Sequence, residues 1–172
     1  MRLKKNDWSL NYVLFRLNDP DVFKVIEQPA KGVGDWIRYQ RLIADLISTQ
    51  CKGSFRLSTS FNLFGEKLVD DAYEIDYFPR GDLNYFIQAE YGVVRIAGRR
   101  TLAEGFSARK SQSSGKMITT PVYEDEVPSE YIFGVEDLDF IYALFYAILS
   151  KQDLHQFTYD GYELEWHYPR LG

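Results

Sequence analysis

The chain has 172 residues, 45% hydrophobic and 26% charged, with a formal net charge of −5. Such a composition excludes global disorder, and the length suffices for one substantial core. The acidic balance disfavours indiscriminate binding to nucleic acid, since most of the surface repels phosphate.

In chain order, the opening "MRLKKNDWSL" is basic and lacks the apolar run of a signal peptide. Trp8, Leu10, Tyr12 and Leu14 then alternate with polar residues, which predicts a strand. "DPDVFKVIEQ" opens on a turn signal and is predicted as a short helix, and "PAKGVG" as a loop. In "DWIRYQRLIADLISTQ", Trp36, Tyr39, Ile43, Leu46 and Ile47 share one face of a 3.6-residue period, with Asp35 placed to cap the helix.

From residue 54 to 98 the period changes to two. Phe55, Leu57, Thr59, Phe61 and Leu63 alternate with Arg56, Ser58, Ser60 and Asn62, and a further strand is predicted around Val69 to Tyr77. Leu83–Tyr91 and Val93–Gly98 read as a hairpin about Tyr91-Gly92. Setting Glu90 opposite Val93 puts Ile87 against Ile96 and Gln88 against Arg95, so both faces agree.

"VEDLDFIYALFYAILSKQ" is a second helix, apolar around much of its circumference. Its apolar stretch at 140–149 is too short to span a bilayer. "HQFTYDGYELEWHY" reads as a hairpin turning at Asp160-Gly161, with Phe157 opposite Leu164 and His155 opposite Trp166. The predicted fold class is α+β: a mainly antiparallel sheet of five to seven strands with two principal helices on one face. The expectation is one globular domain over residues 1–172 with a flexible basic loop around 99–116, soluble and cytoplasmic, without a membrane partner.

Chemistry-bearing residues are sparse. Cys51, the sole cysteine, follows a helix C-terminus, where the dipole disfavours a thiolate, so pairing with His155 as nucleophile and base is not expected. His155 and His167 lack a third soft ligand, and Asp160, Glu163 and Glu165 read as a solvated strand face, so no metal or other cofactor is predicted. Asp70, Glu74 and Asp76, beside Asp71, form the best carboxylate cluster and carry a carboxylate-dependent hydrolase as a minor alternative. "GFSARKSQSSGKM" lacks the spacing of a phosphate loop, and Arg80-Gly81-Asp82 suits a turn.

Charge is distributed in blocks. Residues 95–116 carry six cations and one acid, whereas 117–172 carry eleven acids and two cations. The leading expectation is therefore a binding protein, not an enzyme, that occludes a macromolecular partner, most simply a protein. Immunity or antitoxin-like proteins and phage inhibitors share this compositional character. Glu124, Asp125, Glu126 and Glu130 would steer a basic partner, with the many tyrosines slowing release. The alternative is a nucleic-acid or phosphate binder using Arg99, Arg100, Arg109, Lys110 and Lys116. A third outcome is internal docking of those cations on the acidic stretch 123–130.

Overall fold

The computed structural model describes residues 8–16, 19–30, 32–48, 50–58, 84–90, 92–101, 104–111, 117–119 and 126–168. The expected strand residues between 59 and 83, and with them Asp70, Asp71, Glu74 and Asp76, lie outside the described residues, as do Lys116, Glu124 and Asp125.

Strands β1 (Trp8–Arg16), β2 (Asp19–Ala30), β3 (Cys51–Ser58), β4 (Asn84–Glu90), β5 (Val93–Thr101), β6 (Glu104–Lys110) and β9 (Tyr162–His167) form one seven-stranded sheet. Its order is β2-β1-β3-β4-β5-β6-β9, and every pairing is antiparallel. Strands β7 (Met117–Thr119) and β8 (Glu126–Pro128) pair separately. Helices α1 (Trp36–Ile47) and α2 (Leu138–Leu149) complete the α+β architecture.

Alternation in the strands selects the core face. Leu10, Tyr12 and Leu14, Phe55 and Leu57, Tyr85, Ile87 and Ala89, Val94 and Ile96, and Phe106 and Ala108 are all buried. Both helices cover this face. The ring of Phe55 meets Tyr12 of β1, Tyr39 of α1 and Phe145 of α2 at 6.4, 6.0 and 5.7 Å. At the far side Phe140 of α2 stacks on Tyr162 of β9, with centroids 4.1 Å apart. The buried side chains form one contiguous cluster.

One row crosses six strands: Leu10, Leu57, Tyr85, Gly98, Phe106 and Trp166. Gly98 is the small member that lets its neighbours close over it. A Cβ there would meet Tyr85 Cδ1 at 2.5 Å and Phe106 Cε1 at 2.6 Å. The aromatic rings supply the cover that glycine lacks.

The β4–β5 hairpin has the expected register, including Gln88 opposite Arg95 and Ile87 opposite Ile96. Four local expectations are corrected. Residues 19–30 are strand, not helix: Val22, Val25 and Ile26 favour extended backbone, and pairing along β1 outweighs the turn signal at Asp19-Pro20. Pro20 and Pro29 fit because β2 is an edge strand.

Residues 99–116 are not simply a loop: β5 continues to Thr101 and β6 occupies Glu104–Lys110. Phe106 and Ala108 give this basic segment a buried side, which anchors it in the sheet.

The C-terminal hairpin makes its Asp160-Gly161 turn and the Tyr159–Tyr162 bridge, but goes no further. Asp153 accepts from the His155 amide at 3.0 Å and starts a 3-10 turn at Leu154–Gln156, while β9 pairs with β6 instead. Asp35 occupies the cap position of α1 without making a capping hydrogen bond.

Candidate functional site

The sheet's second face is built by the residues between the core positions. Among the described residues, both helices lie on the other side. Across β3, β4 and β5 the register defines four rungs: Lys52–Glu90–Val93, Ser54–Gln88–Arg95, Arg56–Phe86–Ala97 and Ser58–Asn84–Arg99. Successive rungs are about 7 Å apart along a strand, and neighbouring strands about 5 Å apart. Each rung carries one cation, and the cations alternate between β3 and β5: Lys52, Arg95, Arg56, Arg99. Between them runs β4 with Glu90, Gln88, Phe86 and Asn84.

The result is a locally basic face on an acidic protein, with Glu90 as the one acid among these twelve positions. Lys52 pairs with Glu90 at 3.2 Å. Arg95 is half-buried and Arg99 exposed, and neither has an ion-pair partner among the described residues. The Arg56 guanidinium lies 5.9 Å from the Phe86 ring centroid. Arg56 Nε and Asn84 Oδ1, on adjacent rungs, are buried without a hydrogen-bond partner. Such atoms are uncommon in folded proteins, and sites that receive a ligand are one place they occur.

A cavity of about 590 Å³ opens on the first two rungs, bordered by Phe15, Lys52, Ser54, Gln88 and Arg95. Its volume is in the range of small-ligand sites. Gly53 shapes the strand beneath: a Cβ there would meet the Val13 carbonyl oxygen at 2.0 Å, so only glycine allows β3 to approach β1 this closely.

The other cations expected to act with Arg99 are divided. Arg109 Nε lies 2.7 Å from Glu163 and its Nη1 3.8 Å from Glu165. Lys110 reaches the buried carboxylate of Asp137 at 3.2 Å, which also accepts from the Tyr162 hydroxyl at 2.6 Å and the Gly134 amide at 2.8 Å. Arg100 lies on β5, but its side chain is outside the described residues.

Arg109 and Lys110 thus dock internally, on Glu163, Glu165 and Asp137, while residues 123–125 lie outside the described residues. Those pairings follow from β9 lying beside β6, which sets Arg109 opposite Glu163. Burial and the hydrogen bond to Asp137 push the Tyr162 phenol well above its usual range.

Of the acidic residues expected to steer a partner, Glu126 lies on β8 with its side chain outside the described residues, and Glu130 is half-buried and already engaged. Cys51 is buried at the start of β3 and donates to the Asp45 carbonyl at 3.0 Å. His155 stands beyond β4 and β5, stacked on Trp166 at 3.8 Å and paired with Glu104. No group of three metal-ligating side chains occurs among the described residues, and none of their helices is long and apolar enough to cross a membrane.

Sequence reading saw Arg95 and Arg99 but missed Lys52, Arg56, Phe86 and Asn84 as parts of the same surface. The available signal was the alternation itself, which puts Lys52, Ser54 and Arg56 on the side away from Phe55. Comparison with protein-family models, curated proteins and solved structures found no match for the chain.

Proposed function

We propose that this is a binding protein whose second sheet face, which neither helix covers among the described residues, docks, and so occludes, an acidic macromolecular partner. The observation that carries the reading is the four-rung alternation of Lys52, Arg95, Arg56 and Arg99 on a chain whose net charge is −5. Concentrated against the overall field, these cations give a preferred orientation to any anionic surface that approaches. Relative to the sequence expectation, the role of binding is kept and the sign of the docking surface is reversed. Glu163, Glu165 and Asp137 are paired with Arg109 and Lys110 within the chain, and Glu130 is half-buried and already engaged.

The test compares equal charge changes at two places. Arg99→Glu alters an exposed position on the second sheet face, whereas Arg41→Glu alters an exposed position on α1. On an immobilised sulfated polysaccharide, Arg99→Glu is expected to elute at markedly lower salt than the parent, and Arg41→Glu close to it. Equal displacement by both variants would reduce the effect to net charge and remove the reading.

A further inference from the structure

We infer that the occupant of this face is a single-stranded nucleic acid laid along β4. The inference rests on the docking face proposed above and goes further, because charge alone does not account for what lies between the cations. An acidic protein surface asks only for matching positive groups. Here the line between the cations holds a ring, Phe86, and two carboxamides, Gln88 and Asn84, on consecutive rungs. An aromatic platform suits any base, and carboxamides suit base edges, while cations on either side follow the phosphates.

Phe86 is half-buried and has the Arg56 guanidinium 5.9 Å from its centroid. A phosphate that draws Arg56 aside gives the unpartnered Nε an acceptor and uncovers the ring for a base in one movement. At the other end, the cavity of about 590 Å³ accepts one nucleotide, with Arg95 and Ser54 on its phosphate and Gln88 on its base edge. Phe15 and Val93 supply its apolar walls. Glu90 pairs with Lys52 at 3.2 Å, so an incoming phosphate reaches Lys52 only by displacing that carboxylate from it. A duplex does not fit this scheme, because its bases are already stacked and its phosphates diverge across the grooves.

The experiment is a fluorescence-anisotropy titration of the full chain with labelled eight-nucleotide oligouridine and oligothymidine. A hairpin duplex and polyglutamate serve as competitors. The expected result is binding of the single strands, poor competition by the duplex, and a slope of log affinity against log salt of about −3 for four phosphate contacts. Phe86→Ala should weaken binding about 5- to 150-fold, the range for one lost base stack. Phe86→Leu, which keeps an apolar side chain in place, should show most of that loss with an unchanged circular dichroism spectrum.

RNA bound in preference to DNA would assign contacts to the 2′-hydroxyl, and equal binding would assign recognition to bases and phosphates; both support the inference. Single-strand binding unaffected by either Phe86 substitution, but lost in Arg95→Glu, would overturn it and leave the anionic docking face standing. Efficient competition by polyglutamate, with no loss in Phe86→Leu, would make the occupant an acidic protein surface. No binding of any polyanion would remove both readings.

Discussion

Asp137 is the sharpest test of how the basic segment is held. Its carboxylate is 3% exposed and meets three donors: the Tyr162 hydroxyl at 2.6 Å, the Gly134 amide at 2.8 Å and the Lys110 ammonium at 3.2 Å. These tie β6, β9 and the entry to α2 to one atom pair. Replacing Asp137 by Ala leaves a phenol, an amide and an ammonium without their acceptor. Removing one partner from a buried ion pair costs about 3–5 kcal/mol. For a chain of this size that is a fall in melting temperature of about 6–20 °C.

Lys110→Met is expected to cost less, about 1–2 kcal/mol, because Asp137 keeps two charge-assisted hydrogen bonds. The assay is urea unfolding followed by tryptophan fluorescence on both single variants and the double variant. The double is expected to lose less than the sum of the singles, by about 1 kcal/mol or more. An optical titration adds a second readout, since Asp137→Ala should lower the raised Tyr162 phenol pKa toward its usual range. Additive costs, or an Asp137→Ala midpoint unchanged from the parent, would refute the ion-pair account. They would also return Lys110 to the pool of cations available for a partner.

Two stability predictions follow from the core. Gly98→Ala should destabilise by about 1–3 kcal/mol in the same urea assay, since Tyr85 and Phe106 are held in the core and close over that position. Tyr12 is fully buried with its hydroxyl unpartnered, so Tyr12→Phe should be neutral or stabilising by about 1 kcal/mol. Burial, then the charge of Asp45, raises the Tyr12 phenol above its ordinary value of 10.0. The unfolded chain therefore releases this proton first, so the contribution is intact below pH 10.0 and is lost as pH climbs toward the folded value. Urea midpoints measured from about pH 9 to 11 should fall at the upper end, and less steeply in Tyr12→Phe. An equal fall in parent and variant would contradict the assignment.

Much of the fold is legible in local patterns. The period of Tyr39, Ile43, Leu46 and Ile47 marks α1, and the apolar density of 138–149 marks α2, because a helix must bury one stripe or more. The β4–β5 register is legible because a one-residue slip would exchange the buried Ile87 and Ile96 for Gln88 and Arg95. The Tyr91-Gly92 pair between the two alternating runs leaves little other choice. The C-terminal hairpin shows the limit of that logic: its turn forms, but β6 offers Tyr162–His167 a longer ladder than residues 155–159 do.

The candidate site is legible only by halves. Alternation assigns Lys52, Ser54 and Arg56 to one strand face and Gln88 and Arg95 to another. Nothing in either segment says that β3 lies beside β4, since strand order is set by which apolar rows fill the space beneath α1 and α2. The same holds for Arg109 and Lys110, whose charge is plain in the sequence and whose neutralisation depends on β9 and the entry to α2. Periodicity determined which side chains share a face, because backbone geometry is local. Tertiary packing decided which cations stand together on the second face and which are paired with acids of the chain, because charge pairing depends on distance in space, and strands far apart in the chain become neighbours only through the common core.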